Sequence, residues 1–296
     1  MLDRESTFAD EELVTILKKH FVSVAIDQWY TRSQKDAEGE FYQAIARQGP
    51  RKDMNHTTQG LYVCDAAGNF YGYCNNRHAE TLKQILRKAL KQFDASAEAE
   101  ALSAGVADST YQRSLPEGAV VIGVNTKVLS GYEDTEDVFL KIFQRSVARD
   151  NLWILAKELQ QLKRGIVAES LAKRIARFHL IDNTRGEPNM WGDDDIRSME
   201  INVADDGQLT GEVEIKSADS GYRTRLRGTV KFDGDQLQQF DIVARGWYFG
   251  HGTFTKNAPE GEFPVAVAFR MTDGSDMADS VAPQGSKGWL EGYLKP

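Results

Sequence analysis

The two cysteines of the chain, Cys64 and Cys74, have the most distinctive chemistry in the sequence. A cysteine becomes redox-active when a helix N-terminus or a basic neighbour lowers its thiol pKa and solvent can reach it. Cys74 stands before Asn-Asn-Arg-His, at the expected start of a helix, and this setting makes both cysteines redox candidates. The interpretation that we prefer is two free structural cysteines, which pack as small apolar side chains.

Aromatic residues and glycines are concentrated in GWYFGHGTFT, residues 246–255. Glycine lets a ligand approach the backbone closely, and aromatic rings offer stacking surfaces. Trp247, Tyr248, His251 and Phe254 are therefore ligand-binding candidates. The simpler alternative is a strand end and turn whose aromatic side chains cover the core of a β domain.

The loop DNTRGEPNMWGDDD, residues 182–195, adds Arg185 and Trp191 to the ligand-binding candidates. Its three adjacent aspartates could attract a hard cation such as calcium. They lack the alternating spacing of a calcium loop, so the sequence favours a solvated turn before the next strand. The five histidines are scattered without the i, i+4 spacing of a helical metal site, so we expect neither a metal ion nor a cofactor.

Arg223, Arg225 and Arg227 recur at every second position and share one face of a predicted strand. Such a stripe could bind an anion. Glu212 and Glu214 on the preceding strand could instead pair with the arginines across the hairpin, and this charged ladder is the interpretation that we prefer.

Length and composition predict a globular protein with room for two cores: 296 residues, 41% hydrophobic and 27% charged. A net charge of -8 argues against a nucleic-acid-binding protein, because phosphate binding needs a basic surface. No apolar run approaches the roughly 18 to 20 residues that span a bilayer, so no membrane association is expected. The first thirty residues lack an apolar signal core, which favours the cytoplasm, although a mature exported chain would have the same features.

The first ninety residues alternate helical and strand patterns. Residues 9–20 have apolar positions at helical spacing behind Asp10, a typical N-cap residue. FVSVAID, residues 21–27, is apolar and β-branched, which predicts a buried parallel strand. A short helix is predicted over residues 36–47.

A β-hairpin is predicted over residues 60–64 and 70–74, since Gly68 and Asn69 between the two runs can adopt the positive φ of a tight turn. Residues 79–93 then repeat apolar side chains at helical spacing.

The Ala/Glu/Ser-rich segment over residues 94–116 predicts a boundary, and residues 119–129 a buried strand. Three helices are predicted to follow, near residues 135–147, 151–163 and 167–178. From about residue 196 the apolar period becomes two, which predicts a meander of five or more antiparallel strands.

The opening MLDRESTFADEELVTILKKHFVSVAID resembles thioredoxin-like proteins of the spermatogenesis-associated type. In that family a Cys-x-x-Cys motif leads into M-x-x-x-S-F, an acidic helix and a strand that ends in Asp. The positions that match are Met1, Ser6, Phe8, Asp10, Phe21, Val22 and Asp27. The family's cysteine motif would fall before Met1, and its cis-proline has no counterpart near residues 58–60. Segments such as RFHLIDNTRGEP and FDIVARG also resemble bacterial two-part chains, without implying an activity.

The resemblance implies a thioredoxin-like α/β module over residues 1–95. A linker, a strand and a helical connector over residues 96–195 and an antiparallel β domain over residues 196–296 complete an α+β chain. We expect a binding or interaction module without redox activity rather than an enzyme. The alternative is a thiol-disulfide oxidoreductase whose Cys-x-x-Cys motif precedes residue 1.

A thioredoxin sheet without its central strand would leave unpaired backbone groups beside residues 21–27. We expect residues 119–124 to fill this gap. A protein partner or a second copy of the chain, bound at the open sheet edge, is the other interpretation.

Overall fold

The computed structural model describes residues 5–94 and 105–296. Met1, on which part of the family resemblance depends, lies outside these ranges, as do residues 95–104 of the predicted boundary segment at residues 94–116. The chain divides into two compact units, which we call the N-terminal unit (Asp3–Gln112) and the C-terminal unit (Arg113–Pro296).

The N-terminal unit is mainly helical. The N-cap predicted at Asp10 is confirmed, because its carboxylate accepts a hydrogen bond from the Leu13 N–H at 2.8 Å. The predicted helices over residues 9–20, 36–47 and 79–93 are confirmed within two residues. The helices are α1 (Glu11–His20), α2 (Gln28–Thr31), α3 (Ala37–Gln48) and α4 (Ala79–Gln92), with a 3₁₀ turn at Thr7–Ala9.

The predicted hairpin is confirmed as β1 (Leu61–Cys64) and β2 (Phe70–Cys74). Gly68 has a φ of 82°, and the Asp65 carboxylate closes the turn by accepting hydrogen bonds from the Ala67 and Asn69 N–H groups, each at 2.9 Å. Side chains from α1, the hairpin and α4 form the core of this unit: Leu13, Val63, Cys74, Leu82, Leu86 and Ala89.

The strand predicted over residues 21–27 is wrong. This segment is extended but pairs with no strand in the described part of the chain, and β1 and β2 form a sheet by themselves. Val22 and Val24 are 93% and 75% exposed instead of buried. The reason is the lack of a neighbour, since a strand forms only where another backbone supplies hydrogen-bond partners.

The C-terminal unit contains a seven-stranded antiparallel sheet in the order β4-β3-β9-β8-β7-β6-β5. The antiparallel meander predicted after residue 196 is confirmed by five of these strands. The strands are β3 (Val120–Val128), β4 (Ala148–Ile154), β5 (Ile196–Val203), β6 (Gln208–Lys216), β7 (Gly221–Asp233), β8 (Gln236–Phe249) and β9 (Glu262–Met271).

One face of this sheet carries the core of the unit. Apolar residues at alternate positions, such as Leu226, Ile242 and Val267, pack against the helical segment that follows β4. The α-helices of this unit are α5 (Val138–Arg145), α6 (Ala156–Leu162), α7 (Glu169–Arg174) and α8 (Leu290–Leu294). A π-helical turn over Ile175–His179 continues α7. Short 3₁₀ turns lie at Asp193–Asp195, Met277–Ser280 and Gln284–Ser286.

Two expectations for the middle of the chain need correction. The strand predicted at residues 119–124 does not complete an N-terminal sheet, because β3 pairs with β4 on one side and β9 on the other. The helix predicted over residues 151–163 begins only at Ala156, since Asn151–Ile154 belong to β4. Segments that we assigned to the connector region thus supply two strands of the sheet, since β3 pairs with β9 and β4 pairs with β3.

A buried ion pair fixes the C-terminal helix. Arg174 is fully buried and donates to both carboxylate oxygens of Glu158, at 3.0 and 2.7 Å. It also donates to the carbonyl oxygens of Tyr293 and Leu294, the last two residues of α8. A buried guanidinium with all these partners is well satisfied and ties α7 to α8.

Candidate functional site

Three of the six predicted ligand-binding residues meet at one cleft of the C-terminal unit. Trp191, Tyr248 and His251 line a cavity of about 650 Å³, together with polar residues that include Asn189 and Asp219. The cleft lies beside the turn formed by the aspartate run, whose 3₁₀ conformation agrees with the predicted solvated turn.

Trp191 and Tyr248 are largely committed to packing. Both are 4% exposed, and their ring centroids are 6.1 Å apart. The Trp191 indole N–H donates to the Leu180 carbonyl oxygen at 2.9 Å, and burial raises the pKa of Tyr248. The two rings therefore form the floor of the cleft, and the exposed His251 lies at its rim.

Arg185 is a structural residue in this arrangement. Its side chain is fully buried and donates to the Asp182 carboxylate and to the Thr255 carbonyl oxygen. Because these partners use its guanidinium and solvent does not reach it, Arg185 holds the 182–185 turn against the 255 loop.

Trp247 and Phe254 lie away from the cleft. Trp247 immediately precedes Tyr248 on β8, so the alternation of a strand places it on the sheet face opposite Tyr248. It is 49% exposed, and Phe254 is 70% exposed. The aromatic segment at residues 246–255 is therefore not one site.

The cysteines form no redox pair. Cys64 faces Phe70 across the hairpin and Cys74 faces Leu61, so the two thiols are offset along the strands as expected from the sequence. Burial, and then the neighbouring Asp65 carboxylate, raise the pKa of the Cys64 thiol, which makes it a weaker nucleophile. The Cys74 thiol is buried, with its Sγ 3.5 Å from the Asn76 side-chain oxygen.

A tyrosine, a histidine and an aspartate are aligned inside the C-terminal unit. The Tyr293 hydroxyl lies 2.9 Å from His179 Nε2, and His179 Nδ1 lies 3.2 Å from an Asp150 carboxylate oxygen. This order resembles a proton relay, but Tyr293 is 0% and His179 1% exposed. No reacting group could reach the tyrosine oxygen, so the contact is structural.

The most unusual surface of the N-terminal unit is the segment at residues 21–26, which we call the strand-like segment. Its backbone is extended, and Val22, Val24 and Ile26 are exposed. Within the described ranges the backbone groups of residues 22–26 make no hydrogen bond. It has the composition of a buried strand without the environment of one.

Both ends of the strand-like segment are fixed. The Phe21 N–H donates to the Leu17 carbonyl oxygen at 2.9 Å and closes α1, and the Phe21 side chain packs on the core of the unit. The Asp27 carboxylate accepts from the Trp29 N–H at 3.0 Å and caps α2. The segment is therefore held between two helices, which lowers the entropy cost of pairing it with another strand.

The sequence suggested the strand-like segment as a strand but not as an exposed surface. Its β-branched residues predicted a strand, and the structure shows that they are exposed because no strand of the described chain pairs with them. Arg245 and Glu262, which adjoin the arginine stripe, were missed altogether because they come from strands distant in sequence.

Among residues 5–94 and 105–296, no three histidine, cysteine, aspartate or glutamate side chains are grouped so that they could hold a metal ion. The same residues contain no helix of the length and apolarity that a membrane span requires. The chain matches no family model, no curated protein and no solved structure.

Proposed function

We propose that this chain is a thioredoxin-like protein without redox chemistry, and that it functions as an interaction module. Its N-terminal unit would bind a β-strand of a second polypeptide along the strand-like segment. One observation carries the proposal: residues 22–26, of which only Ser23 is polar, form no helix or turn, are exposed, and have backbone groups without a protein partner among the described residues.

Addition of a second strand would satisfy the backbone groups of this segment and cover its apolar side chains. A second strand would supply hydrogen-bond partners for its backbone N–H and C=O groups, which have none among the described residues. It would also cover Val22, Val24 and Ile26, which project to one side of an extended chain. β-branched side chains are favoured on such a pleated surface.

The occupant that fits best is a second copy of the same segment. In an antiparallel pair centred on Val24, Val22 of each copy faces Ile26 of the other, so apolar residues meet apolar residues. Residues 21–26 contain no charge, and Asp27 faces Phe21 in this register, so no like charges oppose each other. This self-complementarity is what a two-fold interface requires.

The association should be weak. A standard interface uses roughly 20–30 residues from each partner, and the strand-like segment supplies six. We expect a concentration-dependent dimer with a dissociation constant in the micromolar range or weaker.

The thioredoxin-like part of the proposal rests on element order. Helix α1, the strand-like segment, α3, the hairpin and α4 follow one another as in the expected module, with a paired strand missing beside residues 21–27. The non-redox part rests on the offset thiols and the raised pKa of Cys64.

Sedimentation equilibrium of the full chain over a wide concentration range tests the proposal. We expect a monomer–dimer equilibrium, and peptides covering residues 21–27 should exchange amide hydrogens more slowly as the dimer forms. Val24→Asp should abolish both effects, because two aspartates would face each other at the centre of the pair.

Val106→Asp is the matched control, since Val106 is 91% exposed in the same unit but lies outside the segment. It should dimerise like the unaltered chain. A strict monomer at every concentration overturns the proposal, as does a dimer that survives Val24→Asp.

A further inference from the structure

The face of the seven-stranded sheet opposite the core carries a second surface feature, which we call the arginine groove. It is a cavity of about 730 Å³ on strands β5 to β9. Its lining includes three arginines and two glutamates, in a chain whose net charge is -8. The residues that the argument uses are Arg223, Arg225, Arg245, Trp247, Glu212 and Glu214.

The predicted charged ladder is present only in part. Arg225 pairs with Glu212 across the β6–β7 ladder, at 2.9 Å between Nε and Oε1. Arg223 lies 3.8 Å from the Glu262 carboxylate on β9. Arg245 forms no ion pair with any residue in the described ranges.

The position of Arg245 makes this lack of a carboxylate partner significant. Arg225 and Arg245 are direct partners in the β7–β8 register, and both are exposed on the same face. Like charges directly opposite each other destabilise an antiparallel pair. One carboxylate, that of Glu212, serves two facing guanidiniums, so the pair lacks one negative charge.

The neighbours of Arg245 leave room for a ligand. Across β9 its partner is Ala266, a small residue, and the hydroxyl-bearing Ser130 and Ser198 also line the groove. Two positions further along β8, Trp247 is 49% exposed and offers a flat apolar ring beside the guanidinium. An oxyanion on Arg245 and a planar group on Trp247 could therefore be held by one molecule.

We infer that the arginine groove binds a compact organic anion, namely a phosphate or carboxylate group attached to a planar ring. Arg245 and Arg225 supply the charge-assisted hydrogen bonds, and Trp247 supplies the stacking surface. Glu212 and Glu214 flank the arginines and would repel an extended polyanion, so a nucleic-acid backbone fits less well than a small ligand.

Calorimetric titration of the full chain at low ionic strength tests the inference, with phenyl phosphate, benzoate and inorganic phosphate as probes. We expect saturable binding, tighter for phenyl phosphate than for inorganic phosphate, and weakened by added salt. Comparison of phenyl phosphate with benzoate tells a phosphate ligand from a carboxylate ligand.

Arg245→Gln should weaken binding roughly tenfold or more, because it removes a charged hydrogen-bond donor. The matched control is Arg270→Gln, an exposed arginine on β9 of the same sheet outside the groove, which should leave affinity unchanged. Trp247→Leu should remove the preference for phenyl phosphate over inorganic phosphate.

Thermal unfolding without ligand separates a binding role from a structural one. Arg245→Gln should leave the midpoint unchanged or raise it, since it relieves the repulsion with Arg225. The inference is overturned if the unaltered chain shows no saturable binding of any probe, or if Arg245→Gln binds like the unaltered chain. Equal losses in Arg245→Gln and Arg270→Gln would also overturn it, by showing a diffuse charge effect.

Discussion

The strand-like segment and β3 have similar sequences and opposite environments. Both are runs rich in valine and isoleucine, FVSVAI and VVIGVNTKV. In β3, Ile122 is 0% and Val124 2% exposed, whereas Val22 and Val24 are 93% and 75% exposed. The difference is that β3 has β4 on one side and β9 on the other. Apolar β-branched sequence thus permits a strand, and the neighbours decide whether one forms.

The energetic consequence follows from burial. A fully buried valine or isoleucine side chain contributes about 1.5–3 kcal/mol relative to an exposed one. β3 gains this contribution along its core side and pairs its backbone on both edges. The strand-like segment gains neither, so its residues contribute to folding only through the helices at its two ends.

The largest expected effect comes from placing the same substitution in both regions. Val124→Asp should destabilise the C-terminal unit by more than about 4 kcal/mol, because it buries an unpaired carboxylate beside Asp150 on β4. Val24→Asp should change the stability of the isolated monomer by less than about 0.5 kcal/mol, because solvent already surrounds Val24. Urea unfolding at low protein concentration, with each unit resolved by hydrogen exchange, measures both.

Similar losses from the two substitutions would break the comparison, since they would show that residues 21–26 are buried in the folded monomer. Val24→Thr and Val124→Thr are milder variants of the same pair, and they keep the branched shape while adding a hydroxyl group.

A second prediction concerns the support of β4, the neighbour of β3. Arg174→Met should cost about 3–5 kcal/mol, because it leaves Glu158 buried without its cation and removes hydrogen bonds to the carbonyl oxygens of Trp153 on β4 and of α8. Arg197→Met, an exposed arginine on β5, should change stability by less than about 0.5 kcal/mol. A loss below about 1 kcal/mol for Arg174→Met would show that α8 and β4 are held by packing alone.

The smallest expected effect is a pH dependence in the stability of the N-terminal unit. A hydrogen bond from the Leu13 N–H and then one from Lys83 lower the pKa of Asp10, and Lys83 lowers the pKa of Glu12. Because these folded-state pKa values lie below the ordinary values of 3.8 and 4.5, their stabilisation is present at neutral pH. It should be lost progressively as the pH falls below about 4.5.

Hydrogen exchange in α1 and α4 between pH 6 and pH 3 checks this prediction, with rates corrected for the intrinsic effect of pH. Lys83→Met keeps the buried stem of the side chain but removes its charge, so it should flatten much of the dependence. An unchanged profile in that variant would assign the effect to other carboxylates.

Local signals were sufficient for most elements of the N-terminal unit. Asp10 predicted the start of α1, Gly68 and Asn69 the hairpin turn, and the apolar spacing after His78 the buried face of α4. Each depends on residues within a few positions of one another, which is the range over which capping, turn geometry and helical periodicity act.

The candidate surfaces were predicted less well. Trp247 and Tyr248 are adjacent in sequence, and the sequence grouped them, but strand alternation places them on opposite faces of one sheet. Arg245 became a ligand-binding candidate only through the β7–β8 register, which places it opposite Arg225. The β7–β8 register cannot be derived from a window of neighbouring residues, because it joins two segments of the chain.

The sequence by itself determined where α1, α3 and α4 begin, where the hairpin turns and which residues of β5 to β9 face a core, because these follow from backbone conformation and side-chain period. Only the tertiary structure decided that residues 120–128 lie inside a sheet while residues 21–26 remain exposed. The physical reason is that a strand is stabilised by hydrogen bonds and packing from other segments, and those partners are chosen by the whole fold.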